Sequence, residues 1–272
     1  MPIEFEQTGW SRIDISPTAL NSVQEQLERN GFQVENFDLT PHAAGHRAYL
    51  ELPEYAGEYR SYGGEDVHCL LEKSLEHYLS FALAHPVAGQ TAIDVGSCQS
   101  VVPRIMQRVY EVRCYEQDLS YPAGVHDNTI GGSADNIPLP DASVDFMMLH
   151  CTFEHFEGVA DTGFMAESAR LLKPGGRVVS LPLYLNANYC NVSGRDAGER
   201  VDITFDDDAD HYCHVPEWDN RFGRHYSVEA LQRRVIDPAK AAGLNVRILR
   251  CHHWEAIDPR LWLRWILMLE KP

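Results

Sequence analysis

The stretch Thr91-Ala92-Ile93-Asp94-Val95-Gly96-Ser97-Cys98-Gln99-Ser100 constrains this chain more than any other. A short apolar run ends in an acid and is followed by a turn of small residues. Val101, Val102, Ile105, Met106 and Val109 then recur at helical spacing. That pattern reads as strand, turn and helix. In a parallel α/β sheet such a turn sits at the carboxyl edge of the strands, where ligands bind. Small residues let the backbone approach a ligand, and the helix N-terminus offers unpaired N–H groups.

The rest of the chain builds a sheet around that strand. Glu65 to Ala84 reads as a helix, with Val67, Leu70, Leu71, Leu75, Tyr78 and Leu79 on one face and Pro86 as its stop. Strand one covers about 91–95 and the helix about 100–110; Glu111 to Glu116 reads as strand two, followed by Gln117-Asp118-Leu119-Ser120. A carboxylate at that edge can accept from both hydroxyls of a ribose. Asp118 and Glu116 lie 22 and 20 residues past Gly96, close to the spacing of about 20 seen in nucleotide-binding folds. As ordinary loop acids they would simply be solvated.

Val144 to Leu149 is apolar apart from Asp145 and reads as a buried strand. It delivers His150-Cys151-Thr152-Phe153-Glu154-His155-Phe156 to the same edge. Phe164 to Leu172 reads as a helix that Pro174 ends, and Gly175-Gly176 turn the chain into a strand over Arg177 to Leu183. Ser227 is a helix N-cap with Glu229 in the first turn, Asp237-Pro238 is a second helix start, and Gly243 a stop. Asn245 to Cys251 and Leu263 to Glu270 read as the last two strands.

A dinucleotide site asks for G-x-G-x-x-G, and only Gly96 is present, which places a nicotinamide oxidoreductase last among the readings. Asp94-Val95-Gly96-Ser97-Cys98-Gln99-Ser100 instead resembles the first motif of class I S-adenosylmethionine-dependent methyltransferases, acid-x-Gly-x-Gly-x-Gly, with Cys98 and Ser100 in place of the second and third glycines. Asp118-Leu119-Ser120 resembles that family's acid-leucine-serine. The segment from Gly132 through Ser133-Ala134-Asp135-Asn136-Ile137-Pro138-Leu139-Pro140-Asp141 to Phe146 resembles its Gly-Asp-Ala segment, with Ser133 in place of the aspartate. Leu171-Leu172-Lys173-Pro174-Gly175-Gly176 is similar to its Leu-Lys-Pro-Gly-Gly turn, with Glu167 and Arg170 at their usual places ahead of it.

The resemblance runs from about 88 to 272. It implies a Rossmann-like, seven-stranded, mostly parallel α/β sheet with helices on both faces and an antiparallel last strand. It implies S-adenosylmethionine as cofactor, held by Asp94, Gly96, Ser97, Cys98, Glu116, Asp118, Ser133, Ala134, Asp135, His150 and Cys151. Residues 1–64 form an N-terminal extension, a possible substrate cover or a packing element, and 65–272 the domain proper.

Residues 184–226 read as a long insert dense in aromatic and polar side chains, a substrate lid. If the acceptor is an alcohol or phenol it needs a base, and His155, His225 and His214 are the candidates. The acid run Asp206 to Asp210 with His211 and His214 has the donor types for a divalent metal, although such runs are more often solvated surface.

Composition narrows the partners. With 40 acids against 23 bases the formal net charge is −17, which repels a polyanion, and there is no Lys/Arg run. The expected partner is therefore a small-molecule acceptor, with no nucleic acid and no membrane; the oligomeric state is unspecified. Seven cysteines without a C-x-x-C read as reduced thiols. Met1 to Glu6 has neither a basic nor an apolar leader region, so a cytoplasmic location is expected. Two further readings stand beside the methyltransferase: a fold relative acting as a binding or partner subunit, and a metal-assisted enzyme using the acid and histidine insert.

Overall fold

The structure, a computed structural model, describes residues 15–55, 67–98, 100–194, 203–214 and 221–272. In chain order the principal elements are α1 (Pro17–Arg29), β1 (Val34–Asp38), α2 (Ala43–Leu50), α3 (Val67–Ala84), β2 (Thr91–Val95), α4 (Val102–Tyr110), β3 (Arg113–His126), β4 (Thr129–Gly131), β5 (Val144–His150), α5 (Ala160–Leu171) and β6 (Leu172–Leu181). They continue with β7 (Cys190–Gly194), β8 (Asp210–His214), β9 (Gly223–His225), α6 (Val228–Leu231), α7 (Asp237–Ala241), β10 (Asn245–His252) and β11 (Trp265–Glu270).

The strands order as β1-β10-β11-β6-β5-β2-β3-β4 in an eight-stranded sheet. β2 lies between β3 and β5, parallel to both, with Asp94 opposite Glu116 on one side and Met148 on the other. β11 runs antiparallel to both β6 and β10. This is the expected α/β class with one strand more than the expected seven. The eighth is β1, which pairs parallel to β10 from Val34 opposite Ile248 to Asp38 opposite His252. Arg247 ties it in, donating to Glu35 at 2.7 and 2.6 Å and to Glu270 at 3.0 Å.

The alternation of each strand splits the core into two layers. Ile93, Val95, Met147 and Leu149 pack with Phe164, Leu231 and Val235. Ala92, Phe146 and Met148 pack with Leu75, Leu79 and Ile105. Asp145, the polar interruption in β5, accepts from the Thr91 N–H at 2.8 Å and from Lys173 Nζ at 2.7 Å. Lys173 thus belongs to the sheet edge, and the Lys-Pro-Gly-Gly turn lies within β6, where a Cβ on Gly176 would come within 2.8 Å of the Lys173 carbonyl oxygen.

Helix ends follow their local chemistry. The Ser16 and Ser227 hydroxyls accept from the N–H groups of Ala19 and Ala230, both at 3.2 Å. Asp237-Pro238 does not restart a helix: α6 passes through a π turn at Gln232–Ile236 into α7. Pro238 has no N–H to give the Arg234 carbonyl, which accepts instead from the Thr162 hydroxyl at 3.0 Å.

The described part of the insert is not one long loop. β7 pairs parallel with β8 and antiparallel with β9. Arg224, fully buried, fastens this small sheet to the domain. It donates to Asp206 at 2.9 Å, to the Phe156 carbonyl at 2.5 Å and to the Gly158 carbonyl at 2.9 Å, and lies 3.2 Å from Asp161. Burial works to raise the Asp206 pKa, but hydrogen bonds from Arg224 and Asn191 hold it below the ordinary carboxylate value. Asp206 and Asp208 are therefore committed to arginines, the latter to Arg233. His211 Nε2 is 3.0 Å from Ser193 Oγ. Among the described residues no three His, Cys, Asp or Glu side chains come together as a metal-binding group. Among the described residues Cys98, Cys114, Cys151, Cys190 and Cys251 form no disulfide. No described helix is long and apolar enough to cross a membrane.

α2 packs on α3 through His46, whose Nε2 lies 2.8 Å from Ser74 Oγ. Burial pulls the His46 pKa from 6.5 to about 4. A histidine depressed in the folded state contributes stability that is fully present above its unfolded pKa and is lost as pH falls toward the folded one. The shift corresponds to about 3 kcal/mol. The melting temperature should therefore drop between pH 6.5 and 4, and His46→Gln, which cannot titrate, should flatten that drop in a calorimetric pH series.

Candidate active site at the carboxyl edge

The turn after β2 is shaped by close contact. Gly96 has φ +66°, and a Cβ there would lie 2.2 Å from Thr152 Cγ2. Cys98, in place of the motif's second glycine, takes φ +44° all the same. Its N–H donates to Asp118 Oδ2 at 3.0 Å, while Asp118 Oδ1 accepts from Ser120 N and Oγ at 2.8 and 2.7 Å. Asp118 thus closes the turn from the end of the neighbouring strand. Ser100 Oγ donates to Asp94 Oδ2 at 2.5 Å and accepts from the Val102 N–H at 3.2 Å, so this substitution supplies the start of α4. Ser97 is buried at 2% exposure and its Oγ has no hydrogen-bond partner among the described residues.

Gln117 joins two parts of the site. Its Oε1 accepts from the Gly96 N–H at 3.4 Å and its Nε2 donates to the Gly132 carbonyl at 2.6 Å. Ala134 is buried, with Ser133 and Asp135 half-buried beside it. Arg170 and Glu167 bolt this segment to α5. Arg170 donates to the Ile137 and Leu139 carbonyls at 2.8 and 2.7 Å and to Asp141 at 2.8 Å; Glu167 accepts from the Ile137 N–H at 2.6 Å. Glu116 is half-buried, and burial, with Asp94 nearby, raises its pKa.

At the end of β5 the side chains divide. His150 lies behind the turn: Nδ1 is 3.2 Å from Asp94 Oδ1 and Nε2 is 2.8 Å from Ser80 Oγ on α3. Cys151, at φ +47°, donates from its thiol to Glu76 Oε1 at 3.1 Å, and burial pushes its pKa up. Lys73 Nζ donates to Glu76 Oε2 at 3.3 Å and to the His150 carbonyl at 3.1 Å. Burial opposes its charge, but Cys151 and Glu76 hold the ammonium protonated. Burial also raises the pKa of Glu154, and pushes that of Glu72 up to about 8 with help from Glu76.

The histidine candidates meet the insert. His155 Nδ1 is 2.5 Å from the Phe222 carbonyl, which requires the proton on Nδ1. Its Nε2 lies 3.7 Å from Glu154 Oε1. His225 stacks on Tyr184 with centroids 4.9 Å apart, and Tyr184 Oη is 4.0 Å from Cys151 Sγ. The side chain of His214 lies outside the described residues. The turn, the acids of β3, Cys151 and His155 are therefore gathered at one edge, with His225 joined to it through Tyr184.

Sequence reasoning missed Gln117, Glu72, Lys73, Glu76 and Tyr184. One signal for the helix residues existed: Glu72 and Glu76 are spaced to share a face, and they interrupt the apolar pattern of α3.

Residues 93–180 match the family model described as methyltransferase domain. That segment is similar to methyltransferase domains. No curated protein matches the chain in sequence. Among solved structures, a chain of the complex between the Haloferax volcanii Trm112 methyltransferase activator and a methyltransferase is 18% identical, with a TM-score of 0.48 over 78% of this chain and 92% of that one. Haemonchus contortus phosphoethanolamine N-methyltransferase 2, solved with phosphomonomethylethanolamine and S-adenosylhomocysteine, is 12% identical, with a TM-score of 0.45 over 84% of this chain and 60% of that one. Burkholderia thailandensis 1,6-didemethyltoxoflavin-N1-methyltransferase is 13% identical, with a TM-score of 0.43 over 84% and 89%.

Gly96 is a position with little room to change. Gly96→Ala combines a left-handed backbone with the Thr152 contact, and should cost about 2 kcal/mol or more in denaturant unfolding. Pairing it with Thr152→Ser, which removes the clashing methyl, should recover part of that loss.

Proposed function

We propose that the chain is an S-adenosylmethionine-dependent methyltransferase acting on a small-molecule acceptor. The turn carries the reading: Gly96 and Cys98 in left-handed conformations, closed by Asp118, inside a segment that matches the methyltransferase domain. The residues suit the group they would hold. Ser97 Oγ is a buried hydroxyl without a partner among the described residues, and Glu116 is half-buried in β3 opposite Asp94, where it could accept from a ribose. Asp118 and Glu116 would take the ribose, Ser133, Ala134 and Asp135 the adenine side, and Gly96, Ser97 and Cys98 the rest of the molecule along the turn. Asp94 and His150 hold the turn from behind.

When bound, S-adenosylmethionine supplies a methyl group on a sulfonium for in-line displacement. The chain's task is to place the acceptor behind that methyl and exclude water. The Nδ1 hydrogen bond to Phe222 puts the ring proton of His155 on Nδ1, and its Nε2, 3.7 Å from Glu154, is one base candidate. His225 and His214 are the remaining base candidates on the insert. The net charge of −17 favours a small acceptor over a polyanion.

Titration calorimetry with S-adenosylhomocysteine tests this. Wild type should bind, and Asp118→Ala should weaken binding at least tenfold, about 1.4 kcal/mol. Asp94→Asn should weaken it through the turn. Absence of binding to a folded wild type would overturn the reading.

A further inference from the structure

Three buried acids meet where α3 faces the end of β5, and their charges are unequally answered. Arg264 is close enough to Glu72 to lower its pKa, and Lys73 donates to Glu76. Glu154 is answered only at a distance: His155 lies 3.7 Å away with its Nδ1 proton directed at Phe222, and Lys73, close enough to lower the Glu154 pKa, donates its hydrogen bonds elsewhere. Glu154 is 4% exposed, and its Oε2 has no hydrogen-bond partner among the described residues. The donors around it are engaged: the Cys151 thiol gives its hydrogen to Glu76, and Lys73 serves Glu76 and the His150 carbonyl. A buried carboxylate oxygen without a donor is among the costliest groups a fold can retain.

The position is also telling. Glu154 stands two residues beyond Thr152, whose side chain abuts Gly96 in the cofactor turn. A ligand group that satisfied Glu154 would lie beside the place where the methyl donor is expected.

We propose that Glu154, with Glu76 beside it, binds the methyl acceptor through a primary or secondary amine that arrives as an ammonium. This inference rests on the methyltransferase reading and names its substrate class. A carboxylate or phosphate on the acceptor would be repelled by Glu76 and Glu154, while Glu72, its pKa raised to about 8, adds little. A neutral hydroxyl would fill one hydrogen bond and leave the charge unanswered. An ammonium does both, in a charge-assisted hydrogen bond. Transfer then balances simply. The ammonium gives one proton to Glu154 and regains its lone pair; nitrogen bonds to the methyl carbon; the carbon–sulfur bond breaks with its electrons on sulfur. The products are the N-methylammonium and S-adenosylhomocysteine, and Glu154 returns its proton to water.

Calorimetry with two matched pairs tests the idea: benzylamine against benzyl alcohol, and N-methylethanolamine against 2-methoxyethanol, each titrated into the chain saturated with S-adenosylhomocysteine. Each amine should bind at least tenfold more tightly than its neutral partner. Glu154→Gln should abolish that preference while changing S-adenosylhomocysteine affinity less than twofold. Glu76→Gln, which retains an acceptor for the Cys151 thiol, should reduce the preference and supplies the answer if Glu154→Gln fails to fold. Equal binding of amine and alcohol, or an amine preference untouched by both variants, overturns the proposal. If wild type does not bind S-adenosylhomocysteine, the cofactor reading fails. The same titrations on the free chain then decide the amine site alone.

Discussion

The structure depends on how one buried carboxylate is satisfied. Asp94 is 1% exposed, and its two oxygens are taken by Ser100 and His150. Ser100 begins α4, and His150 ends β5 and reaches on to Ser80 of α3. Burying a carboxylate costs several kcal/mol unless such partners are in place. The turn at Gly96 therefore forms only when β5 and α3 are docked. A local motif is made conditional on the packed domain, and the side chains around it inherit that order.

A second buried network does the same for the other wall. Arg224 and Arg234 both engage Asp161 on α5, Arg224 also engages Asp206, and Tyr226 donates to Asp161 at 2.8 Å. Such networks add little net stability over an apolar core, but each member is costly to remove alone. What they supply here is position. β9 carries Arg224 and His225, and Phe222 just ahead of it presents its carbonyl to His155. Fixing Arg224 therefore fixes the two histidines nearest the edge.

The parallel core was legible because its signals are local. β2 spans Thr91–Val95 as its apolar run indicated, β5 follows Val144 through His150, and Ser227 caps its helix. β1 was not legible, since its Val-Glu-Asn-Phe-Asp run has little alternation and its pairing with β10 spans more than two hundred residues. The insert read as loop because β7, β8 and β9 are held by Arg224 and Asp206 rather than by an apolar pattern. Around the site, the turn residues and Asp118 followed from spacing. The placement of His150 behind Asp94 did not, because strand alternation sends it toward α3 and only the fold shows that Ser80 waits there.

α3 shows where pattern and function part. Its buried face should be apolar throughout, yet it buries Glu72, Ser74, Glu76, His77 and Ser80. His77 is held neutral by burial, and Tyr55 Oη lies 2.6 Å from its Nδ1. Leu at 72 would pack against α3's neighbours more cheaply than a carboxylate whose pKa burial raises. Departures of this kind collect at functional sites, where local stability is given up for chemistry. Here they face the end of β5, opposite Cys151 and Glu154, and leave the rest of the helix to Leu75 and Leu79. The helix braces the sheet with one set of residues and furnishes the carboxyl edge with another.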